Sequence, residues 1–93
     1  MRVGLGYDIH PLKKGRKLFL GGVLVDSSWG LVGHSYADVV LHALADALLG
    51  ACGEKDIGFY FNDKNPLIKG ISSGKIIKRV LSIVRKEGLK LLI

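Results

Sequence analysis

From residue 37 to residue 51, apolar side chains return every three or four positions: Ala37, Val40, Leu41, Leu44, Ala47, Leu48 and Ala51. That spacing predicts an amphipathic helix. Asp38, His42 and Asp46 return every four positions and share a different flank. The helix is expected to start near Ser35 or Tyr36, with Ser35 or its neighbour as N-cap, and to end between Gly50 and Gly53. A second helix is expected after Ser72 or Ser73. Its apolar stripe is Ile76, Ile77, Val80, Leu81 and Val84; Lys75, Lys78, Arg79, Ser82, Arg85 and Lys86 make the opposite face, and Gly88 stops it.

Strand patterns flank these helices. Arg2 to Tyr7 alternates small and bulky residues, with Gly4 and Gly6 among the small ones. A strand that other backbone or a ligand approaches closely would read this way. Asp8 and His10 follow two apart, so an extended chain points both to one side. Pro11 is expected to end the strand, and Lys13-Lys14-Gly15-Arg16 to turn. Lys17 to Leu20 and Val23 to Val25, split by Gly21-Gly22, predict a strand with a bulge or tight bend. Asp26 to Gly33 reads as loop, with Trp29 and Leu31 free to cover a core edge or an interface. Cys52 to Gly70 reads mostly as a loop, and its length favours a functional role. Leu89 to Ile93 reads as the start of another strand. The expected class is α/β (α+β), a mixed β-sheet with helices on one face, residues 1–93 forming one domain.

Composition narrows the classes. The 93 residues allow a single modest core, and 48% hydrophobic content excludes a disordered chain. A formal charge of +6 favours an anionic partner: nucleic acid, an anionic membrane or a phosphorylated small molecule. The basic face of the second helix lacks the interleaved aromatics of a single-strand nucleic-acid platform, so it reads as a solvated face. Cys52 is the one cysteine, which excludes an internal disulfide framework and fits a small buried hydrophobe. Asp38, His42 and Asp46 interrupt the most apolar helix, and Asp8 and His10 fall where a signal peptide needs an unbroken apolar core. A soluble, cytoplasmic protein is expected.

The candidate chemistry centres on Asp8, His10 and His42. Two donors from one strand and a third from a helix make an N/O site that zinc accepts with one position open. The same residues equally fit a loop-capping His10, a backbone-bonded Asp8 and a half-buried helix histidine. Asp38 or Asp46 fits either an acceptor for the free ring N–H of His42 or a capping carboxylate. His34-Ser35 at a helix start fits phosphate binding, and Ser35 fits ordinary capping as well. Asp56-Ile57-Gly58 fits either a grip on a ribose diol or a plain turn, and Asp63 carries the same two readings.

In order and spacing these residues resemble one family, 2-C-methyl-D-erythritol 2,4-cyclodiphosphate synthase. The matching text is Arg2-Val3-Gly4-Leu5-Gly6-Tyr7-Asp8-Ile9-His10, then Leu20-Gly21-Gly22-Val23, then His34-Ser35 with Asp38-Val39 and Leu41-His42-Ala43 through Asp46 to Ala51. Asp56-Ile57-Gly58, Phe61 with Asp63, and Lys69-Gly70 complete it. The resemblance implies cyclisation of a cytidine-diphosphate methylerythritol 2-phosphate, with release of CMP, in the non-mevalonate route to isoprenoids. It implies zinc on Asp8, His10 and His42, with Asp8, Ile9 and His10 also lining the substrate. It implies phosphate contacts from His34 and Ser35, with His34 stabilising the transition state. Asp56, Ile57 and Gly58 would hold the ribose, and Phe61, Asn62, Asp63, Lys64 and Asn65 would line the methylerythritol end. A magnesium ion on the diphosphate and a homotrimer with active sites between subunits are also implied.

Two departures bear on this. The usual His-Ser-Asp-Gly-Asp run is here His34-Ser35-Tyr36-Ala37-Asp38, which adds bulk and removes a carboxylate and a glycine. Family chains also continue well past residue 93, where the resemblance puts the cytosine-recognising segment, a Thr-Thr pair and the glutamate that holds magnesium. The chain is therefore expected to be an N-terminal portion of such an enzyme. The rival expectations are a truncated zinc-binding fragment without independent catalysis and a small basic nucleic-acid-binding module.

Overall fold

The computed structural model describes residues 1–33, 37–61 and 72–90. Its core lies between two helices, α1 (Val39–Ala51) and α3 (Ser73–Lys86), with a single-turn helix α2 (Ile57–Tyr60) between them in sequence. Ala45, Leu48 and Leu49 of α1, with Cys52 just beyond it, pack against Ile76, Val80, Ile83 and Val84 of α3. Ile57, Tyr60 and Phe61 close one side of this core. The class is α+β, as expected.

Of the predicted α3 stripe, Ile76, Val80 and Val84 are buried and Ile77 and Leu81 half-buried, and Ser73 and Ile83 join the buried face. That of α1 is rotated from the predicted stripe: His42, Ala45, Leu48 and Leu49 are buried, whereas Val40 and Leu44 stay 46% and 40% exposed. Lysines and arginines leave α3 only one apolar side to bury. On α1, Val40, Leu41, Leu44, Leu48 and Leu49 put apolar residues nearly all round, so periodicity alone cannot choose the face. Both helices end as expected at glycines, Gly53 and Gly88, with φ of 72° and 73°. Each closes with a paired reverse bond: Gly53 N–H to Gly50 and Glu54 N–H to Leu49, Gly88 N–H to Arg85 and Leu89 N–H to Val84.

Four short strands form two antiparallel pairs: β1 (Leu12–Lys14) with β4 (Trp29–Leu31), and β2 (Leu18–Leu20) with β3 (Val23–Val25). The expected bend at Gly21-Gly22 is a two-residue hairpin turn, with φ of 64° and 83° that only glycine adopts without strain. Of the expected turn at Lys13-Lys14-Gly15-Arg16, Lys13 and Lys14 are instead strand, and the chain turns at Gly15, with φ 89°, and bends at Arg16. Trp29 to Leu31, expected as loop, pairs with Leu12 to Lys14 in register Leu12↔Leu31. Pro11 precedes β1 rather than ending a strand, and its carbonyl accepts from Val32 N–H at 2.8 Å.

Residues 1–10 correct another expectation. They form no ladder with any described residue. Their alternation serves a different contact: Gly4, Gly6, Asp8 and His10 turn inward, while Val3, Leu5, Tyr7 and Ile9 stay 76–91% exposed. The glycines lie directly on α1 backbone. A Cβ on Gly4 would sit 1.9 Å from the Ala47 carbonyl oxygen, and one on Gly6 1.8 Å from that of Ala43. The bare glycine edge thus lets the chain lie along the helix and delivers Asp8 and His10 beside His42.

The N-cap of α1 is Asp38 rather than Ser35, which lies with His34 and Tyr36 outside the described residues. Its 2%-exposed carboxylate accepts from Leu41 N–H at 3.1 Å and from Gly21 and Gly22 N–H at 2.9 and 2.7 Å. One side chain therefore caps the helix and fastens the β2–β3 turn to it. Asp38→Ala orphans those donors and is expected to cost about 2–3 kcal/mol. In thermal melts this should appear as a drop of roughly 10–20 °C; an unchanged melting temperature would show that water replaces the carboxylate freely.

Candidate metal centre

The N-terminal segment and α1 bring Asp8, His10 and His42 together, with one ligand atom from each within 4.8 Å of the others. Asp8 Oδ2 lies 2.9 Å from His10 Nδ1 and 3.4 Å from His42 Nδ1. The two imidazole rings stand 5.6 Å apart and tilted by 57°. Gly33 gives His10 room, since a Cβ there would lie 2.9 Å from His10 Cδ2.

The donors fit a cation better than they fit one another. Asp8 Oδ2 and His10 Nδ1 are buried, yet neither makes a hydrogen bond to any described group. Close approach without hydrogen-bond alignment is what lone pairs aimed at a shared point produce. Two imidazole nitrogens and a carboxylate oxygen suit zinc or a similar divalent ion. His42 is buried, and its other ring nitrogen, Nε2, lies 3.1 Å from Ser73 Oγ at the start of α3. In the sequence Ser73 stood out only as a helix start; its contact with His42 joins elements far apart in the chain, and no local pattern signals it.

Burial pushes the His42 pKa below its ordinary value, outweighing the nearby Asp8 carboxylate. A neutral imidazole is the form that binds metal. For the metal-free protein the sign follows directly. Below about pH 6.5 the unfolded histidine takes up a proton that the folded one resists, so stability falls as pH drops; above that value both forms are neutral and this contribution is flat. The metal-free melting temperature is expected to decline from about pH 7 to about pH 5 through this group, and His42→Ala should flatten that part of the curve. An identical decline in the variant would remove His42 from the effect.

Asp38 and Asp46 are not acceptors for His42. Asp38 caps α1, and Asp46 Oδ1 accepts from Ile57 N–H at 2.9 Å. Asp56 caps α2 through Phe59 N–H at 3.1 Å. Asp46, one turn beyond His42, thus ties the turn bearing Asp56, Ile57 and Gly58 to the helix that carries His42. Phe61 sits just past α2 against the core. His34, Ser35, Asn62, Asp63, Lys64 and Asn65 lie outside the described residues. A cavity of about 370 Å³ between Val3, Leu48, Cys52, Val84 and Leu89 shares no residue with the cluster. Cys52 is buried there and burial raises its thiol pKa, consistent with an inert apolar side chain. No helix among the described residues is long and apolar enough to cross a membrane.

Comparison with known proteins places this arrangement. The sequence profile of the YgbB family matches residues 1–92. The chain is 54% identical over 88 residues to the 2-C-methyl-D-erythritol 2,4-cyclodiphosphate synthase of Halothermothrix orenii, covering 95% of this chain and 53% of that one. It is 52% identical over 91 residues to the synthase of Clostridium acetobutylicum, covering 98% and 59%. A solved synthase structure in a CDP-bound form superposes with a TM-score of 0.91 at 43% identity, covering 98% of this chain and 61% of that one. The Plasmodium falciparum enzyme in its CDP complex gives 0.71 at 34%, covering 92% and 51%. The chain spans about half the length of the curated relatives it matches. With the profile running through nearly every residue described above, this chain belongs to the YgbB family.

Proposed function

We propose that the chain carries the metal and phosphate half of a 2-C-methyl-D-erythritol 2,4-cyclodiphosphate synthase active site. The observation that carries this reading is the convergence of Asp8, His10 and His42, with buried unpaired donor atoms, in a chain 54% identical to such synthases. The reaction is the attack of the substrate's 2-phosphate on the diphosphate phosphorus remote from cytidine. A phosphorus–oxygen bond forms, the bond to CMP breaks, and an eight-membered cyclic diphosphate remains. The substrate supplies nucleophile and leaving group, so the protein's work is positioning and charge neutralisation.

Zinc held by Asp8, His10 and His42 would supply Lewis-acid polarisation of the attacked phosphate. His34 and Ser35 bind the phosphates, and His34 neutralises charge that develops in the transition state. Asp56, Ile57 and Gly58 hold the ribose on a turn that Asp46 fastens to α1. Phe61, Asn62, Asp63, Lys64 and Asn65 line the methylerythritol end. Magnesium on the substrate diphosphate, with its protein ligand beyond this chain, and a homotrimer with sites between subunits complete the reading. Residues 1–93 are then one portion of a single synthase domain that works in the cytoplasm, without nucleic acid or membrane.

Titration calorimetry with zinc, and melting curves of the zinc-loaded chain with and without CDP, test this. Equimolar zinc binding and a further rise in melting temperature with CDP are expected. Zinc binding without any response to CDP favours a second reading, a zinc-binding chain without catalysis of its own. Failure to bind zinc would sink both. A chain that instead bound oligonucleotides with steep salt dependence would be the basic nucleic-acid module.

A further inference from the structure

The side chain that faces His42 from α3 has a use beyond packing. His42 presents Nδ1 toward Asp8 Oδ2 at 3.4 Å and Nε2 toward Ser73 Oγ at 3.1 Å. A neutral imidazole carries one ring proton, and the two neighbours compete for it. With the proton on Nδ1, His42 would face Asp8 Oδ2, an oxygen that this geometry leaves without a hydrogen bond, and Nε2 would depend on the Ser73 hydroxyl as donor. That arrangement puts a proton where the Nδ1 lone pair of His42 would otherwise meet a cation. With the proton on Nε2, the ring donates to Ser73 Oγ and frees both the Nδ1 lone pair and Asp8 Oδ2.

The geometry assigns to Ser73 the role of a positioning residue that holds the Nε2–H tautomer of His42 and so keeps the Asp8–His10–His42 cluster open for a divalent cation. This deepens, and rests on, the metal-binding reading above. Ser73 is 6% exposed and His42 9%, so water is a poor substitute acceptor. Ser73 is also the first residue of α3, which fixes its Cα, while the neighbouring Ser72 does the helix capping by accepting from Lys75 N–H at 3.2 Å. The two adjacent serines therefore divide the work: Ser72 serves the helix and Ser73 serves the histidine. Outer partners of metal-bound histidines elsewhere contribute tenfold to a hundredfold in affinity.

Two measurements on the whole chain test this, with Ser73→Ala and Ser72→Ala side by side. The first is the pair of imidazole ¹⁵N shifts of His42 in the metal-free protein, at a pH where the ring is neutral. The parent and Ser72→Ala should show the proton on Nε2, and Ser73→Ala should move it toward Nδ1. A parent ring protonated on Nδ1, or a tautomer unchanged in Ser73→Ala, overturns the assignment whether or not the chain binds metal. The second is zinc affinity together with the visible spectrum of the cobalt-loaded protein. Ser73→Ala should weaken zinc by about tenfold to a hundredfold and alter the cobalt bands. Ser72→Ala should lower the melting temperature while leaving both unchanged. Equal loss of affinity in the two variants would mean that Ser73 acts only through the integrity of α3. A parent chain with the expected tautomer but no zinc affinity would remove the metal-binding reading and leave the tautomer control intact.

Discussion

The His42→Ala variant is expected to fold with α1 intact and to bind zinc at least a hundredfold more weakly than the parent. The helix survives because alanine is the better helix former and because Ala45, Leu48 and Leu49 still face α3. Zinc affinity should not, because His42 supplies one of the three donors that the described residues gather at the cluster. Loss of an outer partner alone costs tenfold to a hundredfold, and loss of a direct ligand costs more. The variant also leaves the Ser73 hydroxyl without its 3.1 Å neighbour, so a modest fall in stability of about 1–2 kcal/mol accompanies it. Far-UV circular dichroism and zinc titration together separate the two effects. Zinc content equal to that of the parent in a well-folded variant would show that the cluster is not the metal site.

Gly6→Ala is expected to be the most disruptive glycine-to-alanine change among the described residues. The added Cβ would fall 1.8 Å from the Ala43 carbonyl oxygen and 2.6 Å from the Ala47 nitrogen, both backbone atoms of a packed helix. Neither can swing aside as a flexible side chain would, so the N-terminal segment must lift from α1. A cost of about 3 kcal/mol or more follows, seen as a melting temperature lower by roughly 12 °C or more. Asp8 and His10 ride on the same segment, so zinc affinity should fall as well, although no ligand has been changed. Gly15→Ala is the control. Its φ of 89° strains an alanine, but nothing lies within 4 Å, so it should cost only about 1 kcal/mol and spare the metal. Equal effects at the two positions would mean that backbone strain, and not the close approach, governs Gly6.

What the sequence made legible was chemistry tied to short spacing. Asp8 and His10, two apart, and a histidine in the body of a helix offered the cluster as one of two readings, and the family resemblance chose it. The α3 stripe was legible because its lysines and arginines leave one apolar side. Less visible was anything set by a distant partner. The alternation of residues 2–7 is real, yet it records a helix backbone lying against glycine and no described strand neighbour. Ser35 or its neighbour is the cap the local pattern suggests, whereas Asp38 caps the helix while also holding the Gly21 and Gly22 amides, far away in sequence. Asp46 and Ser73 were hidden for the same reason, since their partners Ile57 and His42 belong to other elements.

Asp8 and His10 sit at the end of a segment held to α1 by close approach, and His42 sits on α1 itself. A cation shared among them would be a clip across a long chain excursion. It would remove loop-closure entropy from the unfolded chain in the manner of a cross-link, but a reversible one whose strength is set by free metal concentration. The lifetime of the docked N-terminus and the residence time of the ion then become a single kinetic quantity. A chelator should act on this protein first as a protease sensitiser, freeing the backbone of residues 1–10 from α1 for cleavage before the helices have begun to melt.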